Sequence, residues 1–532
     1  GHYKQKRWSL AAESLRAFIK TGPRGPQAAS ARLLLGVSLM HLKTYTENAY
    51  GDEYESKWYD HTKELVGDYI DRHPVPTCLR NHAFLEEVKA GRGPIRMVTK
   101  EAFQDPHLEQ VGWENFLGMT IGQAVVWASQ NIDPKEINPD ELVELGKSLV
   151  RIPSFIGEET ALARWLASYF SSRGYDVQLQ EVDKGWFQTV ATLKGTGGGR
   201  SIMFNGHLDI NPLATGWTRD PFDPWVEDGK LYGAGIRNMK SGVSSMIHAA
   251  ESIRKSGVGL AGDIVVACVV GELQGGSGTK YLLDHGCQTD FAVVTEPYGA
   301  HNVVTKHGGM SVFSLHVMGK HPSGDDLEGV DAIPMMMKAI QAIYDTKLTH
   351  RPWDIPGLPW VKIGSIIGGR GESHDLRSVS RNSDLCTAFV AVTTVPGMTS
   401  DTIRMDFERS LSQLREEEPG FEYQLVHPVE SKFNIWQVDH PPMDMPADEE
   451  IVQRVAASYQ KVTGQPPQAI GAPPSALSAR YGDDDAHLWE AGIPAPIYGP
   501  SGGSYGEDFA LIEEMVLCSK VLALTALDIC GW

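Results

Sequence analysis

From Asn138 onward the chain alternates short apolar runs with amphipathic helical stretches, and this rhythm restricts it to an α/β fold. Helical spacing covers residues 139–151 and 158–173, and Gly174 closes the second stretch as a helix stop. Strand-like runs follow at 177–182, 189–193 and 201–204. Then come a helix over 240–254, a strand over 263–270, a helix over 276–285 and a strand over 291–294. The pattern predicts a largely parallel sheet flanked by helices, and such sheets gather functional groups at the carboxyl ends of their strands.

A second rhythm interrupts the first after residue 306. Strand 311–318, helix 329–344, strands 360–367 and 384–393, helix 400–416 and strand 421–426 give a β-α-β-β-α-β order, the signature of a small split βαβ unit. The α/β pattern resumes with helix 448–463, strand 495–498, a Gly-rich loop at 499–506 and helix 508–527. The expected organisation is therefore a helical N-terminal extension over residues 1–135, with amphipathic spacing at 28–42 and 54–70. An α/β domain follows in two parts, 136–310 and 429–532, separated by an α+β lid over 311–428.

Three strand ends carry the chemistry. Strand 201–204 runs into Asn205-Gly206-His207-Leu208-Asp209, where the imidazole suits a metal and the carboxylate suits orienting it from behind. Strand 263–270 delivers Glu272 before a Gly-rich turn, a position suited to a general base. Strand 291–294 delivers Glu296 in Thr295-Glu296-Pro297.

Charge and composition narrow the partners. Lys+Arg number 48 against 67 Asp+Glu, a formal net charge of −19, which lacks the electrostatic footprint of a nucleic-acid or anionic-membrane binder. No apolar run approaches the ~18 residues of a membrane span. The 6 cysteines are scattered without a CxxC pair, and the opening residues lack a basic-then-apolar leader pattern. A reducing, cytoplasmic setting and a small-molecule substrate are the expectation.

The ordered motifs Gly206-His207-Leu208-Asp209, the Trp217 to Gly242 stretch with its Met239-Lys240-Ser241-Gly242 end, Gly271-Glu272-Leu273-Gln274-Gly275-Gly276, and Thr295-Glu296-Pro297 resemble the aminoacylase, acetylornithine deacetylase and carboxypeptidase-G-like metallopeptidase family. The resemblance covers roughly residues 138–532. It implies a two-zinc amide hydrolase with a catalytic α/β domain and a lid through which homodimers form.

Position by position, the resemblance puts the first metal-binding His on His207, its orienting Asp on Asp209, the base on Glu272 and a further acidic ligand on Glu296. The chain then departs from the pattern. The metal-bridging Asp falls on Asn238, whose neutral amide is a poor bridge between two dications. The second-metal Glu falls on Leu273, and the last His ligand falls near Tyr505, with no His beyond His487. One divalent ion, zinc or manganese, held by His207, Glu296 and the Asn238 carbonyl is the expected cofactor, and a second is not expected. Without a metal, Glu272 and Tyr505 remain as an acid–base pair. In the lid, the resemblance places an oxyanion-holding role on His321 and a clamp for a substrate carboxylate on Arg370, Arg381 and Asn382. His307 reads as structural, and Asp483-Asp484-Asp485 as a turn and helix cap.

The favoured activity is hydrolysis of an amide-like C–N bond in a small, polar, carboxylate-bearing molecule. Acyl transfer, condensation or elimination on the same scaffold, and a catalytically silent binding or scaffold role, stay open at this level.

Overall fold

The computed structural model describes residues 138–323, 328–375, 377, 380–430, 437–475, 477–503 and 507–531. The expectations for residues 1–135 and for Tyr505 lie outside the described residues.

Helix α1 (Pro139–Val150) opens on Asn138, whose side chain accepts the Asp140 amide, and has Pro139 in its first turn. Helix α2 (Thr160–Ser171) leads into strands β1 (Asp176–Asp183), β2 (Trp186–Leu193) and β3 (Ile202–His207). A hairpin of β4 (Trp225–Glu227) and β5 (Lys230–Tyr232) precedes α3 (Ser241–Ser256), β6 (Ile264–Val269), α4 (Ser277–Asp284), β7 (Phe291–Val294), β8 (Asn302–Val304) and β9 (Lys306–His307). The main sheet has the order β1-β2-β6-β3-β7. Its β6, β3 and β7 run parallel, while β1 and β2 form an antiparallel edge.

Both faces of this sheet are covered. Ile264, Val266 and Cys268 pack into one core with Phe170, Val243 and Leu522, while Val265, Ala267 and Val269 pack into another with Leu282 and Leu488. The period of two thus delivers alternate side chains to opposite cores, and the strand reads as an unbroken apolar run.

The intervening unit comprises β10 (Gly309–Met318), α5 (Ala332–Asp345), β11 (Trp360–Gly369), β12 (Leu385–Thr394), α6 (Ser400–Glu417) and β13 (Glu422–Val426). Its antiparallel sheet runs β11-β12-β10-β13, and Phe313, Leu315 and Val390 pack there against Met336, Ile343, Phe407 and Leu411. Strand β14 (Asp439–His440) pairs with β10, and β15 (Met443–Asp444) pairs with β9. Then follow α7 (Glu450–Thr463), β16 (Ala469–Gly471), α8 (Asp484–Glu490), β17 (Gly502–Gly503), β18 (Phe509–Leu511) and α9 (Ile512–Cys530).

Some expectations need correction. Residues 495–498 form no strand: Ala292 N and Val294 N bond to Pro494 O and Pro496 O, but the two prolines return no donors, leaving an isolated bridge at Ile497. Strand β3 continues through His207 rather than ending at Phe204. The last helix starts at Ile512, because Phe509–Leu511 pairs with β5. Helix α5 starts at Ala332, where the Asp331 side chain caps the Ile333 amide. The β4–β5 hairpin carried no expectation. Among the described residues, no helix is long and apolar enough to cross a membrane.

Candidate active site

The last residue of β3, His207, is buried at the carboxyl end of the parallel strands. A side chain at Gly206 would press on Val243, Met239 and Met246 at 3.0–3.2 Å, so the glycine lets β3 lie close to α3 and the turn before it. The His207 Nε2 faces three oxygens: Asn238 Oδ1 at 3.2 Å, Glu296 Oε1 at 3.3 Å and Glu272 Oε2 at 3.7 Å. Neighbouring ligands on a tetrahedral ion with bonds of about 2.0–2.2 Å stand roughly 3.4 Å apart, so these separations suit a bound dication. Glu296 Oε1 is buried without a hydrogen-bond partner, and the donor set of imidazole, carboxylate and amide oxygen suits zinc or manganese.

Behind the ring, His207 Nδ1 lies 3.3 Å from Asp209 Oδ1. Asp209 also accepts the amides of Glu272 at 3.2 Å and Leu273 at 2.9 Å. Burial alone would raise its pKa, but His207, with the Leu273 amide, outweighs that and holds it below the usual carboxylate range. Burial opposes charge on His207 as well, yet Asp209 and Glu296 raise its pKa well above the ordinary value. Glu272 follows Gly271, which sits at φ 68° and turns the chain sharply out of β6. Burial, with Glu296, Asp483 and Asp484 nearby, pushes the Glu272 pKa well up, partly opposed by His207.

The four residues His207, Asp209, Glu272 and Glu296 are therefore brought together, with Asn238 beside them. Leu273 is half-buried next to Glu272 and offers no ligand atom. The candidates of the intervening unit make other contacts. His321 lies 3.7 Å from Asp384, Asn382 Nδ2 donates to Glu328 O at 2.9 Å, Arg370 pairs its backbone with Asp375, and Arg381 is exposed.

Sequence reasoning missed a second layer. Asp483, Asp484 and Asp485 are at most 5% exposed; Asp483 gathers with Glu296 and Glu272 on one side and with Asp485 and His307 on the other. Asp483 sits at the N-cap position of α8, but its side chain makes no capping bond and instead accepts Tyr298 OH at 2.6 Å. His307 Nε2 donates to Asp485 Oδ1 at 2.8 Å while Nδ1 donates to Gly308 O at 2.9 Å. Burial works against its charge, but Asp485 and Asp483 carry the His307 pKa up to about 9. His440 Nε2 donates to Glu272 O at 2.9 Å, and burial with nearby positive groups lowers the His440 pKa well below its ordinary value. The signals were present as three consecutive aspartates and a histidine before Gly308.

Comparison with known proteins identifies the family. The chain is 26% identical over 424 residues to N-formyl-4-amino-5-aminomethyl-2-methylpyrimidine deformylase of Bacillus subtilis, covering 73% of this chain and 94% of that one. It is 27% identical over 297 residues to acetylornithine deacetylase of Proteus mirabilis, covering 52% and 73%. The fold is similar to that of the dipeptidase Dug1p from Saccharomyces cerevisiae, with a TM-score of 0.59, 12% identity, and coverage of 75% and 97%. The description of peptidase family M20/M25/M40 matches residues 203–528, more than half of the chain. The chain belongs to peptidase family M20/M25/M40 and is an enzyme of its amidohydrolase type.

Proposed function

We propose that this enzyme hydrolyses an N-acyl C–N bond in a small, polar, carboxylate-bearing molecule, with Glu272 as the general base and one divalent ion at His207, Glu296 and Asn238. The observation that carries this reading is the approach of Glu272 Oε2 to within 3.7 Å of His207 Nε2, inside a pocket whose other oxygens also face that nitrogen. His207, Glu296 and Asn238 would hold a zinc or manganese ion, which would supply polarisation of the scissile carbonyl and a lowered water pKa. Asp209 holds the His207 ring from Nδ1 and keeps Nε2 turned toward the site. Glu272 takes a proton from the attacking water as the C–O bond forms, and returns it to the leaving nitrogen as the C–N bond breaks. The products are a carboxylic acid and an amine. An ion at the family's second position has no support from Leu273.

The lid supplies substrate recognition in this reading. Arg370, Arg381 and Asn382 clamp a carboxylate, His321 holds the oxyanion, and Tyr505 serves as a hydrogen-bond donor. His321 lies 3.7 Å from Asp384 of its own lid, and in this reading it reaches the site of a second copy. Strand β11 is an edge strand with Ile366 and Ile367 exposed, next to Ile333 and Met337 on α5, which suits a homodimer through the lid.

The relatives named deformylase and deacetylase make N-formyl and N-acetyl amines the first substrates to try. A screen of such compounds should show turnover with the wild type and a rate lower by about 10²–10⁴-fold with Glu272→Gln. Mixing Glu272→Gln chains with His321→Ala chains should restore activity if the lid works across a dimer. Absence of turnover on any acylated amine would sink the assignment.

A further inference from the structure

The peptide joining Glu272 to Leu273 is held at both ends. Its N–H donates to Asp209 Oδ2 at 2.9 Å, and its C=O accepts the Nε2 proton of His440 at 2.9 Å. The same His440 nitrogen stands 3.6 Å from Glu272 Oε1. A carbonyl can only accept, so His440 carries its proton on Nε2. Its Nδ1 is buried without a hydrogen-bond partner, which leaves the Glu272 carbonyl as the polar tie of this ring among the described residues.

His440 reaches the base from the side of the intervening unit. It lies on β14, which pairs with β10 in the register Met310↔His440 and Ser311↔Asp439. Successive side chains of a strand point to opposite sides, and the two residues of β14 follow that rule. Asp439 turns to the intervening unit, where its Oδ1 accepts Ser311 Oγ at 2.7 Å and its Oδ2 accepts His427 Nε2 at 3.1 Å. His440 turns to the loop after β6. The backbones are as close as the side chains: a Cβ on Gly275 would stand 2.8 Å from Gln437 O and 2.9 Å from Asp439 N.

We propose that His440 is a positioning residue for Glu272, and that Asp439 and His440 together transmit the placement of the intervening unit to the base. A shift of β10 carries β14 with it, through the strand pairing and the Asp439 bonds. His440 then moves the Glu272 carbonyl, whose other anchor, Asp209, stays with β3. The base is therefore in line when the unit that recognises the substrate is seated. The inference rests on Glu272 being the base.

The full-length protein is followed by amide hydrogen exchange over residues 271–276, and in parallel by kcat and KM on an N-acyl amine. His440→Leu removes the donor, and exchange in that segment should quicken by about 3–10-fold. Its kcat should fall on the order of 10–10²-fold with KM little changed. His440→Gln, which can place an N–H at the same carbonyl, should recover most of both. Asp439→Ala should quicken exchange in the same segment and lower kcat, and Asp439→Ala combined with His440→Leu should add nothing to His440→Leu alone. Unchanged exchange and kcat in His440→Leu, no recovery with His440→Gln, or fully additive effects in the double variant would overturn the proposal. Should Asp439→Ala fail to fold by circular dichroism, Ser311→Ala replaces it. Full turnover by Glu272→Gln would remove the base reading instead, and the exchange rates would still decide whether β14 holds the turn.

Discussion

Asp209 fixes the backbone that carries Glu272: its Oδ1 accepts the Glu272 amide at 3.2 Å and its Oδ2 the Leu273 amide at 2.9 Å, while Oδ1 also lies 3.3 Å from His207 Nδ1. One carboxylate therefore couples the histidine proposed to hold the metal to the placement of the proposed base. Asp209→Asn turns its amide NH2 toward one of these donors and leaves a buried backbone amide unpaired, at a cost of about 1–3 kcal/mol. It also weakens the hold on His207, for which about a 10–100-fold loss of metal affinity is expected. Calorimetric metal titration and urea unfolding of the variant check both figures.

Glu272→Gln separates chemistry from folding. The backbone carbonyl of Glu272, not its side chain, accepts the His440 Nε2 proton, so the variant keeps that anchor. Its turnover should fall by about 10²–10⁴-fold, the usual worth of a positioned base, with an unchanged or higher unfolding midpoint. A rise in stability would follow from removing a carboxyl that burial and neighbouring acids disfavour in its charged form.

The sequence made the strand ends legible because each functional group follows a buried strand directly. His207 ends β3, Glu272 follows β6 and Glu296 follows β7, so local periodicity was enough to place these candidates at strand ends. Asp483 and His307 were undervalued because their meaning depends on pairing between segments 178 residues apart, as in His307 with Asp485. A run of aspartates at a helix start looks locally like a cap, and only tertiary packing shows that Asp483 turns to Tyr298 instead. Lys240 gave no warning either: it is fully buried, donates to Leu149 O and Ile152 O, and burial lowers its pKa to about 7.

The His307–Asp485 pair sets a pH dependence of stability. The folded pKa of His307 is raised to about 9, against an unfolded value of about 6.5. Its contribution is full below that unfolded value, declines as pH climbs, and is gone above about 9. The size is on the order of 3 kcal/mol. Lys240 slopes the other way, because the unfolded chain keeps that proton to about 10.4 while the folded chain releases it near 7, so stability rises with pH there. The raw curve therefore mixes two opposed slopes. Subtracting the urea stability of His307→Gln from that of the wild type at each pH should isolate a difference that shrinks between neutral and alkaline pH; a flat difference would contradict the ion pair.

Gly242, near the start of α3, tests how tightly the site depends on helix–strand contact. A Cβ there would stand 1.9 Å from Thr295 O and 3.0 Å from Thr295 Cβ, so the helix meets the backbone beside Glu296 with no room for a methyl group. Thr295 in turn is tied to Asn205 O by its amide at 3.1 Å, so it cannot yield without disturbing β3. Gly242→Ala should lose about 1–3 kcal/mol or more through overpacking. Because the displaced carbonyl precedes Glu296, metal affinity should fall with it. Gly259→Ala is the control: nothing lies within 4 Å of a Cβ at that position. There the change should be neutral or stabilising by about 0.4–1 kcal/mol, through the entropy of the unfolded chain. Unfolding midpoints and metal titrations of the two variants measured side by side decide the matter, and equal behaviour would show that the close approach of α3 to Thr295 does not hold Glu296 in place.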